Sequence, residues 1–390
     1  PTGGTSENPE YGGYDDSSEA ADLAAWNHQD LLILFAAGNS GIDANADGFV
    51  DPDSMGSPGT AKNVLTVGAT ESLRGSTATW SSGWPDDFPA NPIAGDLIAD
   101  NQDGMAAFSS RGPTDDGRIK PEVAAPGTFI ISARSHDPNA GTGWGEYDAD
   151  YLYMGGTSMA TPLTAGGAAV VREWLVKQGG VSNPSAALLK AMLVNGAADM
   201  SPGQYASPQE IPTQRPNSVA GWGRVDLLET VSPSGDRSLW YTDTTTGLST
   251  GATADYPLTL AAGDALRVTL AWTDYPGSPM AGRQLVNDLD LEVIGPSTSY
   301  YGNSGTYGTG DGCLRSDQWD QCNNVESVII PSAAAGSYTV RVHAQNVPNG
   351  PQPFALAASA HLGSPNAGPT LSGLPDQTVN AGQTLDDAID

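Results

Sequence analysis

The sequence predicts an α/β fold built on a mostly parallel sheet with a central buried helix, followed by an all-β sandwich. Three observations predict it. Short unbroken apolar runs alternate with helical segments over residues 1–232. Stretches that alternate apolar and polar residues between Gly, Pro and Asn turns fill 233–362. A linker, "GSPNAGP", then opens 363–390, which reads as the first strands of a further β domain.

The elements follow in order. Asp16 with Glu19 three positions later is a capping-box-like start for a helix through "SEAADLAAW". "LLILFAA", Leu31–Ala37, is too short for a helix and reads as a strand buried on both faces; "NVLTVGA" and "FIISA" read the same way. The Gly- and Ala-rich run after Ser158, "MATPLTAGGAAVVREWLVK", predicts a helix packed closely against backbone and buried at the centre. In "NPSAALLKAMLVNGA", Asn183 stands as N-cap with Pro184 at the first helical position. From 233, "PLTLAAGDALRVTLAWTD", "DLDLEVIGP", "VESVIIP" and "GSYTVRVHAQ" predict a sandwich of roughly eight antiparallel strands.

A hydrophobic content of 38% and nine tryptophans in 390 residues indicate folded material. The formal charge of -29 is spread along the chain, which argues against nucleic acid and anionic membranes as partners. No apolar run approaches the ~20 residues of a membrane span. Cys313 and Cys322 sit in one loop, "DGCLRSDQWDQC", and read either as a disulfide closing that loop or as two free thiols. A disulfide implies a secreted, extracellular protein. The chain opens on "PTGGTSENPE", without a signal segment or initiating methionine, and is expected to be cut from something longer.

Chemistry gathers around "GGTSMATP". Ser158 lies at the start of a predicted helix, where free backbone N–H groups and the helix dipole favour negative charge. Asn39, in "LLILFAAGNSG", puts an amide donor at the carboxyl end of a strand. Donors of this kind suit the oxyanion of an acyl-transfer intermediate. The plainer alternative is Ser158 as a helix cap and Asn39 as a turn residue.

"AAGNSG", "VLTVGAT", "FSSRGP", "KPEVAAPG" and "GGTSMATP" stand in the order seen in subtilases, and the chain resembles that family of serine proteases over residues 1 to about 230. "GWGRVDL", "LAWTDYP", "LVNDLDLEV", "NNVESV" and "QNVPNGPQPFAL" look like the alkaline subtilases that carry a β jelly-roll domain, extending the resemblance to about 362. The resemblance implies a subtilisin-like fold, Ser158 as nucleophile, Asn39 as the oxyanion-hole side chain, and Ala36, Ala37, Gly38, Gly156 and Thr157 along the substrate cleft. Leu163 occupies a position where most subtilases have histidine and this subgroup an aliphatic residue. Sedolisins place an aspartate at the oxyanion, so Asn39 argues against them.

The triad of this family runs Asp, His, Ser along the chain. None of His28, His136, His343 and His361 has an "HGT"-like setting, and each reads as an ordinary surface histidine. The expectation is therefore that Asp and His lie upstream of residue 1, and that the 390-residue polypeptide alone is inactive. The substrates implied are proteins or peptides, and a monomer is expected. The second function class is a non-catalytic binding or adhesion protein on a dead protease scaffold.

Calcium is the expected cofactor. In "DANADGFVDPDS", Asp43, Asn45, Asp47, Gly48 and Asp51 fall at positions one, three, five, six and nine of an EF-hand-type loop; position twelve is Ser54 and not the bidentate glutamate, so Asp53 or another group has to complete the shell. A solvated acidic turn is the alternative. In the β domain Asp274, Asn287, Asp288, Asp290 and Glu326 stand at strand ends, and in jelly-roll modules of such proteases comparable clusters hold calcium. Asp100 and Asp103 form a weaker acidic loop.

Overall fold

The computed structural model describes residues 11–205, 209–261, 263–304, 313 and 319–363; of the third texture, 363–390, only Gly363 falls within them. The first helix, α1 (Asp16–Asn27), is capped one residue earlier than the capping box suggested. Asp15 takes the extended cap conformation, and its carboxylate accepts from the Ser17 and Ser18 N–H groups.

Strands β1 (Leu34–Ala36), β2 (Leu65–Thr70) and β3 (Val123–Pro126) form a parallel sheet in that order, with Leu34 opposite Leu65 and Val67 opposite Val123. β2 is buried along its whole length because it has a strand on each side. Among the described residues β1 pairs with β2 only, and it is short and half-buried, where the apolar run 31–37 had suggested a strand buried on both faces. Between β2 and β3 the chain makes an excursion that includes the short helix α2 (Trp80–Gly83). "FIISA" does not join the parallel sheet. It forms β4 (Ile130–Ala133), antiparallel to β6 (Tyr151–Met154), which also pairs with β5 (Gly145–Glu146). Short strands of like composition carry no mark of which sheet they enter.

Helix α3 (Thr157–Lys177) packs on all three parallel strands. Its buried residues, Ala160, Thr164, Gly167, Ala168, Val171 and Leu175, recur at helical spacing on one face. Leu163 and Val170 on the other side are 48% and 56% exposed, so the helix is buried on one face and not all round. α4 (Ala186–Gly196) is the helix buried all round, every residue of it. Ser185 caps it, accepting from the Leu188 N–H, while Asn183 and Pro184 stay outside and receive Arg172. The short α5 (Leu227–Val231) closes the α/β part against α3 and α4.

Eight strands follow: β7 (Ser238–Leu248), β8 (Thr253–Leu260), β9 (Asp264–Ala271), β10 (Asp288–Ile294), β11 (Ser299–Tyr301), β12 (Val325–Ala333), β13 (Gly336–Asn346) and β14 (Gln352–Ala360). They make two antiparallel sheets, ordered β12-β9-β14-β7 and β11-β10-β13-β8. Leu258, Val268, Leu270, Leu291, Val342, Phe354 and Leu356 fill the space between them. Alternate residues of the first sheet face the other way: Ala271, Val325, Ala355 and Ala357 join the core of the α/β part. α4 lies against β7, β9 and β14, and the small alanines of β14 let it approach.

Candidate active site

Ser158 is the second residue of α3 and is exposed. The helix starts sharply because Gly156, at φ 142°, adopts a backbone that other residues reach only with strain. Its N–H is tied to the Gly127 carbonyl at 2.8 Å, which fixes the direction in which α3 sets out.

Asn39 lies three residues past β1 and reaches the same helix start. Its side-chain oxygen accepts from the Thr157 N–H at 2.9 Å and the Thr157 hydroxyl at 3.0 Å. Those bonds occupy the acceptor end of the amide and leave Nδ2 as the end free to donate. In the first turn, Thr157 donates to Asn39, while Met159 and Ala160 donate to the Gly156 carbonyl. Ser158 has no hydrogen-bond partner for its N–H or its hydroxyl among the described residues. The start of α3 thus carries an exposed Ser158 with an unpaired N–H, and the Asn39 amide nitrogen lies beside Gly156.

The Asn39 loop is braced from behind. Ser110 donates its N–H to the Gly38 carbonyl at 3.0 Å and receives the Ser40 N–H on its hydroxyl at 3.1 Å. Gly41 donates to the Phe108 carbonyl. "FSSRGP" thus acts as a backing strap for the loop. Ala36 ends β1, Ala37 is buried and donates to the Val67 carbonyl, and Gly38 donates to the Thr157 hydroxyl at 3.3 Å. Thr157 is itself buried, so its place is behind the site, holding Asn39 and Gly38 together. This positioning role was legible only as part of a motif.

No histidine hydrogen-bonds Ser158. His28 is the C-cap of α1, and His136 pairs with Asp150 on the surface at 3.1 Å. His343 pairs with Glu292 at 3.0 Å and meets the Trp319 ring, both in the sandwich. His361 follows β14 and gives its carbonyl to the Ala261 N–H.

The loop after Asn39 draws its acidic residues together. The Asp43 carboxylate accepts from the Asp47 and Gly48 N–H groups at 2.9 Å each, and Asp51 accepts from Ala44 and from the Asn45 amide. Burial first, then the nearby Asp47 and Asp43, raise the Asp51 carboxyl above its ordinary value. Asp53 does not join: its backbone has a positive φ of 59°, and its carboxylate lies beside Gly12. In the sandwich, Glu326 is fully buried, with Asp290, Asp320 and Asp288 near it. One Glu326 oxygen accepts from the Leu291 N–H at 2.8 Å, and the other is buried without a partner. Asp274 is separate from that group; it forms an ion pair with Lys62 at 2.5 Å and accepts from the Val286 and Asn287 N–H groups. Asn287 is held by Gln352 and Asn349. Among the described residues no group of three or more His, Cys, Asp or Glu is already arranged to hold a metal. Asp103 pairs with Arg224, and Asp100 gives its N–H to Glu71. Cys313 and Cys322 are joined by a disulfide.

Two features escaped sequence reasoning because their parts are far apart in the chain. One is an acidic group made of the buried Glu71 with the half-buried Asp96 and, beside it, the half-buried Glu210. Glu71 accepts from the Trp80 indole at 3.0 Å and from Gln204, and Glu210 from the Met105 and Gln204 N–H groups. The other is an aromatic cluster around Trp144.

The sequence profile of the Subtilase family matches residues 3–223, more than half of the chain. Among relatives, the Serine protease/ABC transporter B family protein tagD of Dictyostelium discoideum is 28% identical over 88% of this chain and 24% of its own length. The serine protease AprX of Bacillus subtilis is 36% identical over 38% of this chain and 27% of its own. The chain thus spans about a quarter of the length of these curated relatives. A solved serine protease of Aeromonas sobria is 14% identical, with a TM-score of 0.33, over 92% of this chain and 70% of that one. No helix among the described residues is long and apolar enough to cross a membrane.

Proposed function

Since the chain belongs to the subtilase family, we propose that it carries the nucleophile and the oxyanion-binding groups of a serine endopeptidase. Ser158 Oγ attacks the scissile carbonyl. The developing oxyanion is held by the Ser158 N–H and by Asn39 Nδ2. Collapse of the tetrahedral intermediate breaks the C–N bond, the amine leaves with the proton taken from Ser158, and the acyl-enzyme that remains is hydrolysed by water. The histidine that takes the Ser158 proton, and its aspartate, come from residues outside these 390, because all four histidines present sit in other surroundings. The observation that carries the reading is the Asn39 amide, whose oxygen is occupied by Thr157 so that its nitrogen is left to donate beside Gly156, two residues before Ser158.

A fluorophosphonate tests this directly. The full-length protein should be labelled on Ser158, and Ser158→Ala should not be. The 390-residue chain alone should turn over peptide substrates about 10⁶-fold more slowly than the full-length protein, the effect of losing the histidine in such a triad. A full-length protein that stays unlabelled would leave the non-catalytic binding role in its place.

Three further readings belong to this proposal. The strand order, first-eighth-third-sixth in one sheet and second-seventh-fourth-fifth in the other, supports a jelly-roll topology counted from β7. Calcium is proposed at the Asp43, Asn45, Asp47 and Asp51 loop and at Asp288, Asp290 and Glu326, in a structural role, while Asp53 and Asp274 are engaged elsewhere. The hard oxygen donors and the partnerless buried Glu326 oxygen support it. Calcium should raise the thermal midpoint, and Glu326→Gln should remove part of that rise. The disulfide supports a secreted protein, and a monomer acting on proteins or peptides is the simplest arrangement.

A further inference from the structure

β6 leads along the chain to Ser158, and Gly155 at its end is covered by an aromatic ring. A Cβ placed on Gly155 would lie 2.0 Å from the Trp144 indole, so the ring rests directly on the backbone three residues before the nucleophile. Trp144 is held there on its own main chain, donating its N–H to the Tyr153 carbonyl at 2.8 Å. Its ring is half-buried and is packed edge to face by Phe129 at 5.1 Å and Phe108 at 6.1 Å, with Trp84 tilted against it at 5.7 Å. Phe108 gives its carbonyl to Gly41, so the cluster also touches the loop that carries Asn39.

Phe129 supplies an independent sign that this arrangement is held against a cost. Its φ of 47° is left-handed, a conformation a bulky side chain rarely adopts and one that surrounding structure has to impose. In that conformation its ring supports both Trp144 and Tyr153. Tyr147, 53% exposed, stacks at 90° on Tyr153 and extends the aromatic surface outward. Four charged side chains of the same hairpin pair with one another, Arg134 with Glu146 at 2.7 Å and His136 with Asp150 at 3.1 Å, while Asp137 and Asp148 accept from local backbone N–H groups. The rings are the apolar surface that this hairpin offers toward Gly155.

We propose that the Trp144 ring, seated on Gly155, is one wall of a peptide subsite beside Ser158 and selects an aromatic or large aliphatic side chain of the substrate. This rests on the protease reading above. An apolar pocket of this kind discriminates a large apolar side chain from a small or charged one by about 10- to 200-fold.

The test uses full-length protein and peptides in which each of the two residues on either side of the scissile bond is set to Phe, Leu, Ala or Asp. At one of these positions the wild type should prefer Phe or Leu over Ala by at least about tenfold in kcat/KM. Trp144→Ala should bring that ratio near one, and Trp144→Phe should keep most of it. The ratio, not the absolute rate, is the readout, and fluorophosphonate labelling reports whether the variant's site is still assembled. A uniform fall for all peptides, or an intact ratio in Trp144→Ala, overturns the assignment. If the wild-type protein neither labels nor cleaves, the protease reading fails on its own. Peptides N-methylated at the scissile bond then decide by affinity: a preference for Phe that Trp144→Ala abolishes upholds the subsite, and equal affinities overturn it.

Discussion

At Asn39 the two ends of one amide do different work. The oxygen takes both protons offered by Thr157, and the nitrogen is left to donate beside Gly156. Asn39→Asp keeps the acceptor, removes the donor and sets a carboxylate where negative charge has to develop. In the full-length protein, Asn39→Ala and Asn39→Asp should each lower kcat by about 10²–10³ with a much smaller change in KM. A loss confined to KM would mean that the amide only orders the loop. The Glu71 group makes a second argument of this size. Burial first, then Asp96, pushes the Glu71 carboxyl up from 4.5 to about 9. Burial and then Asp100 raise Asp96 to about 6, and burial lifts Glu210 to about 7. The unfolded chain releases the Glu71 proton near 4.5, whereas the folded chain keeps it to about 9. Between those values the native state binds more protons, so this group's contribution to stability falls as pH rises. Glu71→Gln keeps an acceptor for Trp80 and removes the titration. Urea unfolding should show little difference between variant and wild type near pH 4.5, and a variant more stable by a few kcal/mol (~) near pH 9. A gap that does not change with pH would mean that the native carboxyl is already ionised.

α4 shows how an element is specified by its ends as well as its composition. Its sequence, "AALLKAMLVNG", is apolar but for Lys190 and Asn195, which find buried partners in Glu122 and Thr269, and this suits a helix with protein on every side. The cap is tied to a strand of the sandwich: Ser185 donates its N–H at 2.8 Å and its hydroxyl at 2.7 Å to Asp243 in β7, while that hydroxyl accepts from Leu188. Ser185→Ala should cost about 1–2 kcal/mol in chemical denaturation, at the upper end of a cap's contribution because Asp243 also loses a donor. The sequence places the cap at Asn183 with Pro184 opening the helix, and the docking partner Asp243 fixes Ser185 instead. The same holds more widely. The run of apolar residues at 31–37 announced a strand, but no local pattern encodes that it is half-buried with one neighbouring strand among the described residues. The eight-strand sandwich was legible because alternation is local. Ser158 and Asn39 were legible because their motifs are compact, whereas Glu71 with Glu210, and Trp144 with Phe108, meet only after the chain has folded.

For the molecule as a whole, the composition changes near residue 233 but the packing does not divide there. One apolar core runs from Val67 and Val123 of the parallel sheet through Leu188 and Met192 of α4 to Ala271, Ala355 and Ala357 of the sandwich. Polar groups cross the same boundary. Lys62 pairs with Asp274, both fully buried, and Asn63 exchanges hydrogen bonds with the Asp274 backbone. The Asn323 side chain accepts from the Ile119 N–H at 2.9 Å, and Asp116 accepts from the Gln284 N–H at 3.1 Å. Cutting the chain at 232 would strip one side of α4 to water and leave the Lys62 ammonium without its partner. Calorimetry of the 390-residue chain should therefore show one cooperative transition across both sheets, and residues 1–232 made alone should not reach a native fold. Lys62→Met isolates the polar share. It leaves Asp274 buried without its counter-charge and should destabilise the protein by about 3–5 kcal/mol, whereas Lys62→Met with Asp274→Leu should recover much of that loss. Two separate transitions, or a Lys62→Met variant as stable as the wild type, would show that the sandwich is an appended domain and not a structural layer of the α/β part.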